Sequence, residues 1–117
     1  MIKNIIILLS LTSTFLYAQN IKLEEKIYKE NCLICHKRLS FNLKQIYFDY
    51  LLKYSSEETV KLALVDYLKK PNKDISVMPK EYIRRFGIKK PTLLNDKELK
   101  MAIDYYWDRY KIFGKLK

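Results

Sequence analysis

Apolar residues recur at intervals of three and four along most of the chain, which is the spacing of one helix face. The clearest stripe lies within residues 42–54 and consists of Leu43, Ile46, Tyr47, Tyr50, Leu51 and Tyr54. No run shows the sustained alternation of apolar and polar residues that predicts a strand. The pattern therefore predicts an all-α domain of four or five helices, of which the second covers residues 42–54.

Capping residues and breakers predict the bounds of the remaining helices. Ser55, followed by Glu58 three residues later, is expected to cap a third helix that stops before Pro71. Gly87 is expected to end a short helix over residues 80–86 as its left-handed terminator. A first helix is predicted over 21–30, with Leu23, Ile27 and Tyr28 facing inward. The third helix is predicted to bury Val60, Leu64, Tyr67 and Leu68. A last helix, capped by Asn95 and running to about Tyr110, is predicted to bury Leu99, Ala102, Ile103, Tyr106 and Trp107.

The N-terminal segment 1–18 has the layout of a secretory signal peptide. Lys3 provides a positive start, an apolar run follows, and a stretch of polar and small residues leads to Ala18. We expect cleavage after Ala18, which gives a signal peptide at 1–18, a mature domain at 19–117 and a periplasmic location. The alternative is an uncleaved N-terminal membrane anchor.

Charge adds information about partners but does not name one. The mature chain would keep 22 basic and 13 acidic residues, a formal charge of +9. This charge suits an acidic partner or a membrane surface; it is equally explained by drift in a lysine-rich composition. Export argues against a nucleic-acid partner. No constellation of catalytic acid, base or nucleophile is visible, so we predict neither an enzyme nor a small-molecule substrate.

The chemistry-bearing motif is Cys32-Leu33-Ile34-Cys35-His36, the spacing for covalent haem attachment. Two thiols three positions apart can each add to one vinyl group of the porphyrin, and the adjacent imidazole reaches the iron. His36 is the only histidine in the chain, so it is the predicted proximal ligand. A zinc site would need a fourth ligand, and a thioredoxin-like site would need strands.

Met78 is the candidate for the sixth iron ligand. It lies well after His36 along the chain, in the Pro-bounded segment 71–79, and Pro79 restricts its backbone. Ligation by methionine raises the potential of a haem. Met101 falls within the last helix and is predicted to be packing material. The alternative for Met78 is a methionine that fills the core.

From residue 21 onward the chain resembles a class I cytochrome c. Tyr28 four residues before Cys32, the CxxCH motif, Met78-Pro79 and the aromatic last helix match that family's pattern. The resemblance implies a small cytochrome c-like domain wrapped around one covalently bound haem c. Three features depart from the pattern and indicate a divergent subgroup. Glu24 stands where the family often has a small residue, and no Gly- and Pro-rich loop follows His36 to supply a carbonyl for the imidazole. The paired helices over 42–69 also exceed the family's usual middle segment.

The leading hypothesis is a periplasmic monohaem carrier that passes single electrons between redox partner proteins. Arg84 and Arg85 are candidates to pair with the haem propionates, although a solvated face is the commoner role for such residues. Tyr82 and Trp107 are secondary candidates for the same role, and core packing is the alternative. Two further hypotheses stay open: a haem-based gas-binding or sensor module, and a small haem subunit of a larger oxidoreductase.

Overall fold

The residues described by this computed structural model, 19–39 and 41–112, form helices joined by short turns and loops, without a strand. The all-α prediction is therefore confirmed for this part of the chain. Five helices are described, which we name α1 to α5 in chain order. None of them is long and apolar enough to cross a membrane. The predicted signal peptide at 1–18 lies outside the described residues.

Helix α1 spans residues 19–36 and runs through the CxxCH motif instead of ending before it. Residues 19–28 are α-helical, Lys29–Leu33 form a π-helical turn, and Ile34–His36 return to α geometry. The sequence predicts a helix that ends near residue 30, so this bound is wrong. The π turn allows the helix to continue because it inserts one extra residue without breaking the backbone hydrogen-bond ladder.

Helices α2 (Leu43–Tyr54) and α3 (Glu57–Lys69) form a hairpin whose bounds agree with the prediction. The cap of α3 differs from it. Ser56, not Ser55, accepts a hydrogen bond from the backbone N–H of Thr59. Ser55 instead ends α2 in the left-handed conformation, with φ at 68°. Because a tight hairpin needs such a residue to end its first helix, the cap moves one residue along.

Helices α4 (Lys80–Phe86) and α5 (Asp96–Tyr110) begin and end as predicted. Asn95 and Glu98 form the predicted capping box at the start of α5, each side chain bonding the other residue's backbone N–H. Gly87 ends α4 at a positive φ of 76°, with ψ at −162°. That is an extended conformation open to glycine, and not the left-handed helical region that we expected.

The core lies between α2, α3 and α5, which contact one another, and the end of α1 that carries Tyr28. All five residues predicted to face inward from α5 are buried. The Tyr28 ring packs against Tyr105 and Tyr106, with centroids 5.1 and 6.0 Å apart. Leu23 is 47% exposed, against prediction, whereas Ile27 and Tyr28 are buried as predicted. The contact of α1 with the core therefore begins after Leu23.

Candidate functional site

A cavity of about 450 Å³ lies beside this core, lined by residues from all five helices. This volume is within the range of about 300–1,000 Å³ typical of ligand and cofactor pockets. Most of the lining is aliphatic or aromatic: Tyr28, Leu39, Leu43, Ile46, Tyr50, Leu64, Tyr67, Leu68, Val77, Tyr82, Ile83, Phe86, Ile88, Leu94, Leu99, Ala102, Ile103 and Tyr106. The cavity therefore suits a largely apolar ligand.

The three residues of the CxxCH motif that carry chemistry all line this cavity, but they differ in exposure. Cys32 is half-buried, and burial raises the pKa of its thiol to about 11. Cys35 lies exposed at the rim. His36 is half-buried, and burial lowers the pKa of its imidazole. The neutral imidazole that burial favours is the form that binds a metal.

The backbone of Phe41 interacts with the His36 ring. It raises the imidazole pKa, although less than burial lowers it. An interaction that favours the protonated ring must come from a carbonyl acceptor. The Nδ1 atom is buried and has no partner in full hydrogen-bonding geometry, so the contact with Phe41 is a weak one. Phe41 follows the motif at the point where the sequence showed no Gly- and Pro-rich loop, and nothing in the pattern singles it out.

Met78 lines the same cavity as His36, although the two are far apart along the chain, whereas Met101 does not line it. A turn at residues 72–75 leads into the Met78 segment, where the Met78 N–H donates to Ser76 Oγ at 3.2 Å. Pro79 then caps α4 with φ at −58°. The Met78 backbone is thus fixed on both sides, and its half-buried side chain packs against the core.

The two arginines that were candidates for pairing with propionates lie outside the cavity lining. Arg84 forms an ion pair with Glu81 on the surface of α4. The Arg85 guanidinium lies over the Phe86 ring, 5.3 Å from its centroid. Trp107 is likewise outside the lining and packs in the core against Tyr47. Of the four propionate candidates, Tyr82 alone lines the cavity.

Other polar groups do reach the cavity. Lys89 and Lys90 line it from the segment after α4, and burial lowers the Lys89 pKa while the two cysteines raise it. The Tyr82 hydroxyl is buried without a hydrogen-bond partner among the described residues. The Tyr28 hydroxyl is buried beside Tyr110, and burial and the contact with Tyr110 both raise the Tyr28 pKa. No sequence signal separates Lys89 from the other lysines, and Tyr28 was predicted from spacing as a core residue only.

The arrangement offers two thiols, an imidazole and a thioether to one cavity. Among the described residues, no cluster of three or more His, Cys, Asp or Glu side chains forms a site for a bare metal ion. Comparisons with protein-family models, curated proteins and solved structures found no match to this chain.

Proposed function

We propose that this chain binds one haem covalently and carries single electrons between redox partners in the periplasm. The observation that carries the proposal is the convergence of Cys32, Cys35, His36 and Met78 on one mostly apolar cavity. These residues come from two segments that are far apart along the chain.

The chain's own residues would hold the cofactor in four places. Cys32 and Cys35 would each form a thioether, and His36 and Met78 would hold the iron. The bound iron would supply reversible one-electron exchange, at a potential that the axial ligands and the surrounding dielectric set. The aliphatic and aromatic lining excludes water and lowers the local dielectric, and both effects favour the less charged ferrous state.

One buried hydroxyl supports a ligand that carries hydrogen-bond acceptors. Tyr82 lines the cavity, and its O–H group has no partner among the described residues. A buried, unpaired hydroxyl costs about 1–3 kcal/mol, so it is better explained by an acceptor that belongs to the bound group. Carboxylates such as haem propionates are acceptors of this kind. We therefore assign a propionate contact to Tyr82 in preference to Arg84 and Arg85.

The mouth of the cavity has the composition of a docking face for a redox partner. Leu39, Phe86 and Ile88 line the cavity and are exposed, with Phe86 at 56%. Lys89 and Lys90 are also exposed on the lining. An apolar rim beside basic side chains, on a chain with a net charge of +10, favours an acidic partner protein.

Visible spectra of the exported protein test this function. We expect covalently attached haem, ferrous and ferric spectra that interconvert, and a weak red band from the methionine–iron bond in the ferric state. Met78→Ala should abolish that band, whereas the matched variant Met101→Ala, on α5 and outside the cavity, should keep it. Protein without haem would overturn the proposal, and loss of the band in both variants or in neither would overturn the assignment of Met78.

A second candidate function is gas binding at a displaceable sixth position. The unpartnered Tyr82 hydroxyl favours it, because α4 follows directly after Met78-Pro79 and such a donor would stabilise a polar bound gas. Gas binding is favoured over electron transfer if the untreated ferrous protein binds carbon monoxide rapidly and Met78→Ala raises the binding rate only slightly. Slow binding that becomes fast in Met78→Ala would favour the carrier.

A further inference from the structure

The backbone hydrogen bonds of α1 change spacing at the start of the CxxCH motif. Over Lys29–Leu33 the helix is π-helical, and the N–H of Ile34 donates to the Lys29 carbonyl, five residues back. Normal α spacing returns where the Lys37 N–H donates to the Leu33 carbonyl at 2.9 Å. A single π turn inside an α-helix is equivalent to one inserted residue, and such turns are frequent at functional sites.

The inserted residue decides which motif residues share a face with Tyr28. In an unbroken α-helix Cys32 and Cys35 would follow Tyr28 at i+4 and i+7, on its face, and His36 at i+8 would be turned aside. The extra residue rotates everything after it back by about 100°. His36 then acts as i+7 and comes onto the Tyr28 face, while Cys32 acts as i+3 and stays on it. Cys35 acts as i+6 and turns outward.

The burial of the three side chains agrees with this rotation. Tyr28 is buried at the floor of the cavity, and Cys32 and His36 are half-buried beside it. Cys35, which an unbroken helix would place under the same face, is exposed at the rim. The π turn thus directs the proximal ligand and one thiol inward together, and it leaves the second thiol at the mouth.

Asn31 is the side chain that bridges the change in spacing. Its Nδ2 donates to the Ile27 carbonyl at 2.8 Å, four residues back. Side-chain bonds of this type compete with the backbone ladder, and here the bond lies where four-residue spacing gives way to five-residue spacing. Asn31 also lines the cavity. We infer that Asn31 is a positioning residue: by holding the π turn, it sets the rotation that presents Cys32 and His36 to the cavity.

Its role in haem attachment rests on the function proposed above, whereas the rotation itself does not. Asn31→Ala should turn His36 away from the cavity, and a haem that His36 does not hold presents its vinyl groups poorly to the two thiols. The fraction of exported chains with both thioethers formed should therefore fall about five-fold, the size of change that losing one hydrogen bond produces. The fraction is measured by mass spectrometry of the haem-bearing peptide. Asn31→Ser keeps a side-chain donor for the carbonyl four residues back and should restore attachment.

Deletions separate positioning from a general structural role. Deletion of Glu30 removes the extra residue, so a plain α-helix would give the same rotation and attachment should survive. Asn31→Ala added to that deletion should then have no further effect. Deletion of both Lys29 and Glu30 rotates the motif by a further angle of about 100° and should abolish haem attachment. Equal attachment in the single and double deletions, or an equal loss from Asn31→Ala with and without Glu30, would overturn the inference.

The same variants remain informative if the exported chain carries no haem, an outcome that removes the proposed function but not the rotation. The thiols are then free, and alkylation is followed at each cysteine separately. We expect Cys35 to react faster than Cys32 in the native chain and in Asn31→Ser. The difference should narrow or reverse in Asn31→Ala. An unchanged ratio in Asn31→Ala would overturn the inference in this case also.

Discussion

At the scale of single residues, two buried tyrosines on neighbouring helices differ in whether their hydroxyls are bonded. The Tyr106 O–H donates to the Leu43 carbonyl at 2.5 Å, which ties α5 to the start of α2. The Tyr47 hydroxyl is buried without a partner. Both rings pack in the same aromatic cluster, with centroids 5.9 Å apart, so the loss of one oxygen changes packing little in either.

Tyr106→Phe should therefore lower the free energy of unfolding by about 1 kcal/mol, since it removes a made hydrogen bond. Tyr47→Phe should be neutral or stabilising, because it removes a hydroxyl that gains nothing from burial. Urea denaturation of the two variants in parallel measures both effects. Equal losses would show that ring packing, and not the hydroxyl, explains the stability at these positions.

Gly87 provides a residue-scale test of backbone conformation alone. Its φ of 76° is combined with a ψ of −162°, and a Cβ added there would meet no atom within 4 Å. Gly87→Ala should therefore destabilise the fold by about 1–3 kcal/mol through the backbone conformation only. The exposed Lys73→Ala is the control and should stay within about 0.5 kcal/mol of the native chain. A neutral Gly87→Ala would mean that the loop after α4 readily adopts another conformation.

At the scale of helices, one carboxylate links α3 to α5. Asp104 Oδ1 lies 2.9 Å from Lys61 Nζ on α3, and Oδ2 lies 2.6 Å from Lys100 Nζ on α5 itself. Burial tends to raise the Asp104 pKa, but the hydrogen bonds from the two lysines outweigh it and the pKa is lowered. A carboxyl with a lowered pKa in the folded state stabilises the fold above its unfolded pKa of about 3.9.

Asp104→Asn should thus lower the free energy of unfolding at pH 7 by about 0.5–1 kcal/mol, reduced by salt because the groups are partly exposed. The native chain loses this contribution as the pH falls below about 3.9 and through the folded pKa of Asp104, so the two curves should converge in acid. Denaturation at pH 7 and at a series of acidic pH values, with the exposed Asp66→Asn as control, measures the change. A difference that stays constant as the pH falls would indicate packing and not charge.

The packing of α1 on α5 also explains one departure from the cytochrome c pattern at this scale. Glu24 occupies the place of a small residue, and it lies near Asp104 and Asp108 of α5. Burial and these two carboxylates raise the Glu24 pKa, while Lys61 and Lys100 oppose the effect. Glu24 therefore lies at a charged crossing of α1 and α5, where two lysines offset the repulsion among three carboxylates.

At the scale of the whole molecule, the cavity is large for the amount of core around it. A domain of this length buries a modest fraction of its surface, and about 450 Å³ beside its core is lined by apolar side chains. A ligand that binds only the folded state stabilises it by mass action. Covalent attachment keeps such a ligand in place at any protein concentration.

Replacing both thiols, as Cys32→Ala with Cys35→Ala, should therefore lower the unfolding midpoint and broaden the transition. The free energy of unfolding should fall by several kcal/mol, which is typical of losing a tightly bound ligand. Circular dichroism during heating measures the change, with Cys35→Ala alone as the milder case, since Cys32 could still form one of the two proposed thioethers. If the double variant melts like the native chain, the cavity does not depend on a bound group.

Much of the fold could be predicted because its signals are local. Asn42 with Gln45 and Asn95 with Glu98 cap α2 and α5 through contacts three residues apart. Gly87 ends α4 through its own backbone freedom. The choice between Ser55 and Ser56 could not be predicted, since it depends on the turn between two packed helices. The continuation of α1 through the motif depends on α1 packing against α5.

The sequence by itself determined the helices, their apolar faces and the residue types that carry chemistry, because periodicity, capping and spacing act within a few positions. Only the tertiary structure decided that Met78 and the CxxCH residues line one cavity, since this requires segments from distant parts of the chain to pack together. It also decided that Lys89 and Tyr82 line that cavity while Arg84 and Arg85 lie outside. On a helix as short as α4, a step of about 100° between neighbouring residues separates a cavity-lining side chain from a solvated one.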